Sequence, residues 1–269
     1  MEARLTEFSY GYCVTEELAN GLGPGFKAAP YFPSLCTEGK EGGGFDVQIG
    51  SALFLQFKLC EEMTRKSAKE TKRGILQPTF FRFWLHRRDR SSQHRMLIDL
   101  EGQTGNQVYY CVPAFADINS LNSAYNATGV VSQSAMFIPS EIGPLLDDGY
   151  HSVAFRPDQD WGWFLSEPKQ VRVHHGVEVL KRAAGEVAVH GDSAIARPTQ
   201  KLDSSADDSR VQDWLRELAS KMRLVIQQNE GSAAKLLEHR RGPLEEVAYL
   251  ARTHFGCELF IHAVPRITG

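Results

Sequence analysis

The sequence predicts a mixed α/β fold, and three observations carry that prediction. Short segments between residues 45 and 173 alternate apolar and polar residues or run continuously apolar, the marks of strands. From Val211 and again from Pro243, apolar residues recur at helical spacing. The composition, 42% hydrophobic and 23% charged, is that of a globular chain with a core, in one large domain or two modest ones.

In chain order, residues 6–22 predict a helix: Val14, Leu18 and Leu22 repeat every fourth position, and the glycines at 21, 23 and 25 with Pro24 stop it. A Pro- and Gly-rich loop runs from Pro24 to Gly44. Two strands follow, Phe45–Ile49 and Leu53–Leu59, with Gly50-Ser51 as a hairpin turn between them. Residues 60–73 are polar and basic, a solvated helix or loop. Phe80–His86 alternates aromatic and polar residues as a strand, His94–Glu101 is a short helix, and Val108–Val112 a buried strand. Further strands are expected at Ser134–Ile138, His151–Phe155 and Gln170–Val173.

Residues 185–209 lose apolar period and gain Ser, Asp, Ala and Gly, which predicts a polar linker or exposed loop. It divides the chain into an α/β domain over 1–184 and a helical subdomain over 210–269. In the latter, Val211, Trp214, Leu215, Leu218, Met222 and Val225 form one helix face. Pro243 opens the next helix, Gly256 ends it, and Glu258–Val264 is a final strand.

The net charge of −3 and pI near 6.3 exclude a protein that coats nucleic acid by bulk electrostatics, while leaving room for a local basic surface. Five cysteines (13, 36, 60, 111 and 257), odd in number and without a CxxC pair, imply reduced thiols in a cytoplasmic protein. The start MEARLTEFSY is not a secretory signal, and no stretch approaches the ~20 apolar residues that span a bilayer.

Chemistry concentrates in EGGGFDVQIGSALFLQFKL, residues 41–59. Side chains alternate faces along a strand, so Gln56 and Lys58 point one way while Leu55, Phe57 and Leu59 point the other. A hairpin at Gly50-Ser51 brings Asp46 beside both. The ordinary alternative is a surface ion pair between adjacent strands, worth at most ~1 kcal/mol. Against it stands the apolar run Ala52–Leu59, which predicts a strand buried on both sides, where an unpaired lysine is expensive. A carboxylate, an amide oxygen and an ammonium at one place suit phosphodiester hydrolysis, in which a hard cation takes oxygen ligands and a lysine offsets developing negative charge.

This pattern resembles the PD-(D/E)XK nuclease superfamily, and in its Gln56-Phe57-Lys58 and Gly44-Phe45-Asp46 it resembles the Gln-x-Lys variant of Mrr-like restriction endonucleases. The resemblance covers about the first 115 residues. It implies a restriction-endonuclease-like central sheet flanked by helices, with Asp46 and Gln56 at Mg²⁺ or Mn²⁺ and Lys58 positioning water or neutralising the transition state. It also implies a metal-binding glutamate on the preceding helix: Glu17, with Glu16 as the alternative and Glu7 the weaker candidate. The implied activity is metal-dependent endonuclease hydrolysis of DNA, RNA not being excluded, in bacterial restriction or antiviral (anti-phage) defence. A regulatory partner protein and a homodimer go with it.

The basic stretch 82–95 holds Arg82, Arg87, Arg88, Arg90 and Arg95, whose guanidinium forks suit phosphates and whose neighbours Phe83 and Trp84 could stack on bases. Its bland reading is a solvated turn. Two further readings remain open: a nuclease scaffold kept for binding with cleavage lost, favoured by the neutral Gln56, and a structural subunit whose C-terminal helices dock on a partner through Trp214 and Met222. His174-His175 is not a metal motif, since neighbouring strand residues face apart. Gly42-Gly43-Gly44 lacks the Lys-Ser/Thr ending of a phosphate loop.

Overall fold

The structure is a computed structural model, and it describes residues 5–21, 48–104, 107–179, 204–230 and 242–264. It is mixed α/β, with two sheets and flanking helices. Helix α1 (Glu7–Gly21) precedes β1 (Gln48–Phe57); then come β2 (Glu61–Met63), α2 (Lys69–Lys72), β3 (Phe80–Trp84), α3 (Gln93–Thr104) and β4 (Gln107–Pro113). Next are α4 (Ile118–Asn126), β5 (Ser134–Phe137), α5 (Pro139–Ile142), β6 (Ser152–Phe155), β7 (Trp161–Phe164), β8 (Lys169–Arg172) and β9 (His174–His175). The C-terminal part is α6 (Ser204–Glu230), α7 (Pro243–Leu250), a wide π-type turn over Ala251–Phe255, and β10 (Glu258–Val264).

The first sheet has the order β10-β1-β4-β5-β9 and is mixed, with β1 parallel to β4 and antiparallel to β10. The second, β2-β3-β6-β7-β8, is antiparallel throughout. Strand alternation sorts the core. Leu53, Leu55 and Phe57 of β1 face α1, packing with its Tyr10, Val14 and Leu18. Ala52 and Phe54 face the other way, into a core shared with α3, α6, α7 and the inner face of the second sheet. A strand covered on both sides reads as a continuous apolar run, and Ala52–Leu55 does.

Three expectations are corrected. Gly50-Ser51 is not a hairpin turn. One strand runs through it, and the pairing with β10 slips from Ile49↔Ala263 to Ala52↔Ile261, a bulge. Glycine serves a bulge as well as a turn, and the partner that decides between them lies some two hundred residues downstream. Nor is the C-terminal part a separate subdomain: Leu215, Leu218, Met222, Val225, Val247 and Leu250 are buried in the same cluster as Phe54, Leu97 and Tyr110, and β10 completes the first sheet. Met222 is fully buried and Trp214 packs against that cluster, so these two do not form a docking face. Of the expected linker, 204–209 belong to α6, and 185–203 lie outside the described residues.

Smaller differences have local causes. The polar stretch 60–73 contains β2 and the single turn α2, held inward by a buried Glu70. Strand β7, Trp-Gly-Trp-Phe, was too short to register as a period. No helix among the described residues is long and apolar enough to cross a membrane.

Candidate functional site

Gln56 lies one residue before the end of β1, on the face of Ala52 and Phe54, and Lys58 follows just beyond. The Lys58 N–H donates to the Cys111 carbonyl at 3.0 Å, so the parallel ladder with β4 continues one step past the strand. Both side chains are 5% exposed. The sequence argument for a buried strand therefore holds, and the surface ion pair does not.

Their partner is a residue that sequence reasoning passed over. Gln93, the first residue of α3, donates from Nε2 to Gln56 Oε1 at 2.8 Å and to the Phe255 carbonyl at 3.2 Å. Its Oε1 accepts from Lys58 Nζ at 3.4 Å. Gln56 Nε2 donates to the Phe57 carbonyl at 3.0 Å. Two amides thus position one ammonium, tying β1 to α3 and to the turn after α7. Gly256, at φ +63°, closes this arrangement; a Cβ there would sit on Gln93 Nε2 and 2.9 Å from Gln56 Oε1. The available signal was the polar Gln93 at the head of an amphipathic helix, and nothing local connects it to β1.

Lys58 has no carboxylate within ion-pair distance among the described residues. Burial pulls its ammonium pKa below the ordinary lysine value, with Glu7 and Cys257 opposing that pull. His86 is likewise pulled down, first by burial and then by the Lys58 charge, which places an imidazole in the same field.

The helical acid is not where it was expected. Glu17 Oε2 accepts the Val131 backbone N–H at 3.0 Å, and Glu16 accepts the Tyr125 hydroxyl at 2.5 Å. Both serve the α4–β5 region, because α1 covers the opposite face of the sheet from Gln56. The α1 residue whose charge reaches Lys58 is Glu7, ten residues and ~15 Å of helix away from Glu17. Asp46 lies outside the described residues. The hairpin meant to fold it onto Gln56 is absent: Gln48 and Gln56 are separated by eight residues, ~26 Å of strand.

No family model matches the chain, and no match was found among curated proteins or solved structures.

The geometry does not fit a magnesium ion at the described residues alone. No three His, Cys, Asp or Glu side chains converge among them. Gln56 Oε1, the single amide oxygen assigned to the metal, is already engaged by Gln93.

The arginines separate by environment. Arg82 is corrected from phosphate binder to structural cation: its guanidinium bonds Glu61 at 2.6 Å and Glu70 at 2.7 Å, and the Glu70 side chain is 5% exposed. Arg87 and Arg88 hold the 146–150 loop, through the Asp148 carbonyl at 2.9 Å and the Asp148 carboxylate at 2.8 Å. Arg90 and Arg95 are exposed, with only 3.9 Å approaches to Asp89 and Asp99. Tyr150, exposed, lies under Arg87 and edge-on to Trp84, so this loop presents aromatic rings beside the basic turn.

Proposed function

We propose that the chain binds and cleaves DNA phosphodiesters, with Lys58 as the group that meets the phosphate. One observation carries this reading: a buried ammonium at the carboxyl end of a strand with a parallel neighbour, positioned by neutral amides. An isolated buried charge is strongly unfavourable, and perturbed ionisable groups of this kind concentrate at functional sites. The carboxyl ends of parallel strands are also where open α/β sheets place ligands. A scissile phosphate would supply the negative charge that no described residue places within ion-pair distance of Lys58.

In this reading Lys58 Nζ donates to a non-bridging phosphate oxygen and offsets charge developing in the transition state. Gln93 fixes Nζ, and Gln56 fixes Gln93. Arg90 and Arg95 contact flanking phosphates, and Trp84 and Tyr150 offer surfaces to bases. Mg²⁺ or Mn²⁺ belongs to the proposal through the nuclease resemblance. Its carboxylate would have to come from Asp46. A part in restriction or anti-phage defence, a gating partner and a homodimer belong to the same proposal.

The test is conversion of supercoiled plasmid with and without Mg²⁺ or Mn²⁺, in the wild type and in Lys58→Ala, Asp46→Ala and Gln93→Ala. Metal-dependent cutting should disappear in the first two and fall in the third; cutting that survives Lys58→Ala refutes the assignment. The second reading, a nuclease-like scaffold that binds without cutting, is favoured by the engagement of Gln56 Oε1 with Gln93. It predicts plasmid binding that weakens in an Arg90→Ala/Arg95→Ala variant, without cleavage under any metal.

A further inference from the structure

We infer that the outer face of the second sheet carries a separate binding groove for an unstacked nucleobase, a site that would make the DNA substrate locally single-stranded. This rests on the nucleic-acid reading above and adds to it a place where a base, rather than a phosphate, is held.

The groove follows from the Trp161-Gly162-Trp163 triplet of β7. Alternation sends Gly162 and Phe164 inward and both indoles outward, with Trp161 50% exposed and Trp163 half-buried. Gly162 is required for this, since a Cβ there would lie 2.8 Å from the Ala154 carbonyl and 3.2 Å from Phe155 Cβ. The close approach of β7 to β6 lets Trp163 rest on the small cluster of Ala68, Leu76, Phe80 and Ala154, which fixes one ring while the other stays open. Between these indoles and the Ile75–Gln77 segment lies a cavity of about 530 Å³. That lies within the range of ~300–1,000 Å³ typical of small-ligand sites.

Its polar lining selects the ligand. Gln77, Gln159 and Gln170 border the cavity, Gln170 standing opposite Trp163 across the β7–β8 pair. Their side-chain amides make no hydrogen bond with any described residue. Each amide presents a donor and an acceptor side by side, the complement of a base edge. Arg156 and Asp160 also line the groove; Asp158 holds Arg156 in two contacts of 2.9 Å, and the exposed Asp160 carboxylate lies 3.3 Å from His175 Nε2, so the lining offers a phosphate no unpaired cation. A neutral, flat ligand with mixed donors and acceptors fits these surroundings better than a phosphate does. In duplex DNA that edge and both ring faces are already occupied, hence the preference for an unpaired base.

The experiment measures binding of a fluorescently labelled 12-nucleotide single strand in EDTA, by anisotropy, to the full chain and to Trp161→Ala, Gln170→Ala and Lys58→Ala. Trp161 is half exposed and Gln170 exposed, so both variants should fold; thermal unfolding verifies it. Trp161→Ala should weaken binding tenfold or more, as loss of a stacking platform does. Gln170→Ala should weaken it several-fold and change the preference among homopolymers. Equal affinity in wild type and Trp161→Ala overturns the groove while sparing the Lys58 site. Quenching of indole fluorescence by an oligosaccharide, with no oligonucleotide binding, overturns it as well and assigns the rings to sugars. If Lys58→Ala still cuts plasmid while Trp161→Ala loses the single strand, the groove stands and the Lys58 centre falls.

Discussion

The burial of Lys58 yields a prediction about stability that needs no substrate. In Lys58→Met an aliphatic chain of similar length replaces one ending in an ammonium, at a position 5% exposed. The hydrogen bond forgone is the 3.4 Å contact to Gln93 Oε1, at the weak end of the ~0.5–1.5 kcal/mol range. Against it stands relief from burying an ion; replacement of buried ions by apolar groups is often neutral or stabilising by ~1–4 kcal/mol. The net expectation is a gain of about 1 kcal/mol at pH 7, or ~2–4 °C in Tm for a chain of this size.

The pH dependence gives the sharper check. The folded-state pKa of Lys58 lies below its ordinary value of 10.5. Between the two, the unfolded chain binds more protons, so wild-type stability rises with pH across that window and is insensitive to this group below it. The advantage of Lys58→Met should therefore be full at neutral pH and shrink as pH approaches 10.5. Urea unfolding of both proteins at several pH values from 7 to 10 measures the difference, in which other titrations cancel. A variant less stable than wild type by more than ~1 kcal/mol at pH 7 would mean that the ammonium has a strong anionic partner, and the poised-cation argument would fail. Greater stability combined with lost cleavage is the signature expected of a residue kept for function.

Arg82→Ala should destabilise by ~3–5 kcal/mol in urea unfolding, because it strands the buried Glu70 carboxylate; nucleic-acid affinity per folded molecule should not change. Gly256→Ala should lose at least the ~1–2 kcal/mol of a left-handed residue, with further loss from displacing Gln93; Lys58-dependent cleavage should fall with it. Asp117 caps α4 through the N–H groups of Asn119 and Ser120, at 2.9 and 3.0 Å, so Asp117→Ala should reduce stability by ~1 kcal/mol and leave the Lys58 site untouched.

Much of the fold was legible because period and burial are local properties. The alternation of Phe81 and Phe83 with Arg82 and Trp84 fixed which residues of β3 face inward, and the apolar run before Gln56 fixed that Gln56 and Lys58 would be buried. Partners were not legible. Gly50-Ser51 suits a turn or a bulge, and only β10 makes it a bulge. Arg82 looked like a phosphate ligand because its counter-charges, Glu61 and Glu70, lie in a stretch that reads as solvated. Glu17 was chosen for its helix face, yet that face covers the far side of the sheet. Gln93 showed only as a polar residue at the head of a helix, since an amide declares its role through what it touches.

The strand that carries Gln56 is paired on one side by the chain's last described strand. During synthesis, the backbone edge of β1 that will meet β10 emerges long before that partner: Glu258 is made 201 residues after Phe57, ~10–40 s later at ordinary elongation rates. For that interval the apolar segment Ala52–Leu55 presents unsatisfied amides to any other chain nearby. Nascent chains stalled before β10 should thus be the aggregation-prone species, and the same delay keeps the Lys58 centre from assembling until the segment that leads into β10 has been made, because that segment carries the Phe255 carbonyl that anchors Gln93.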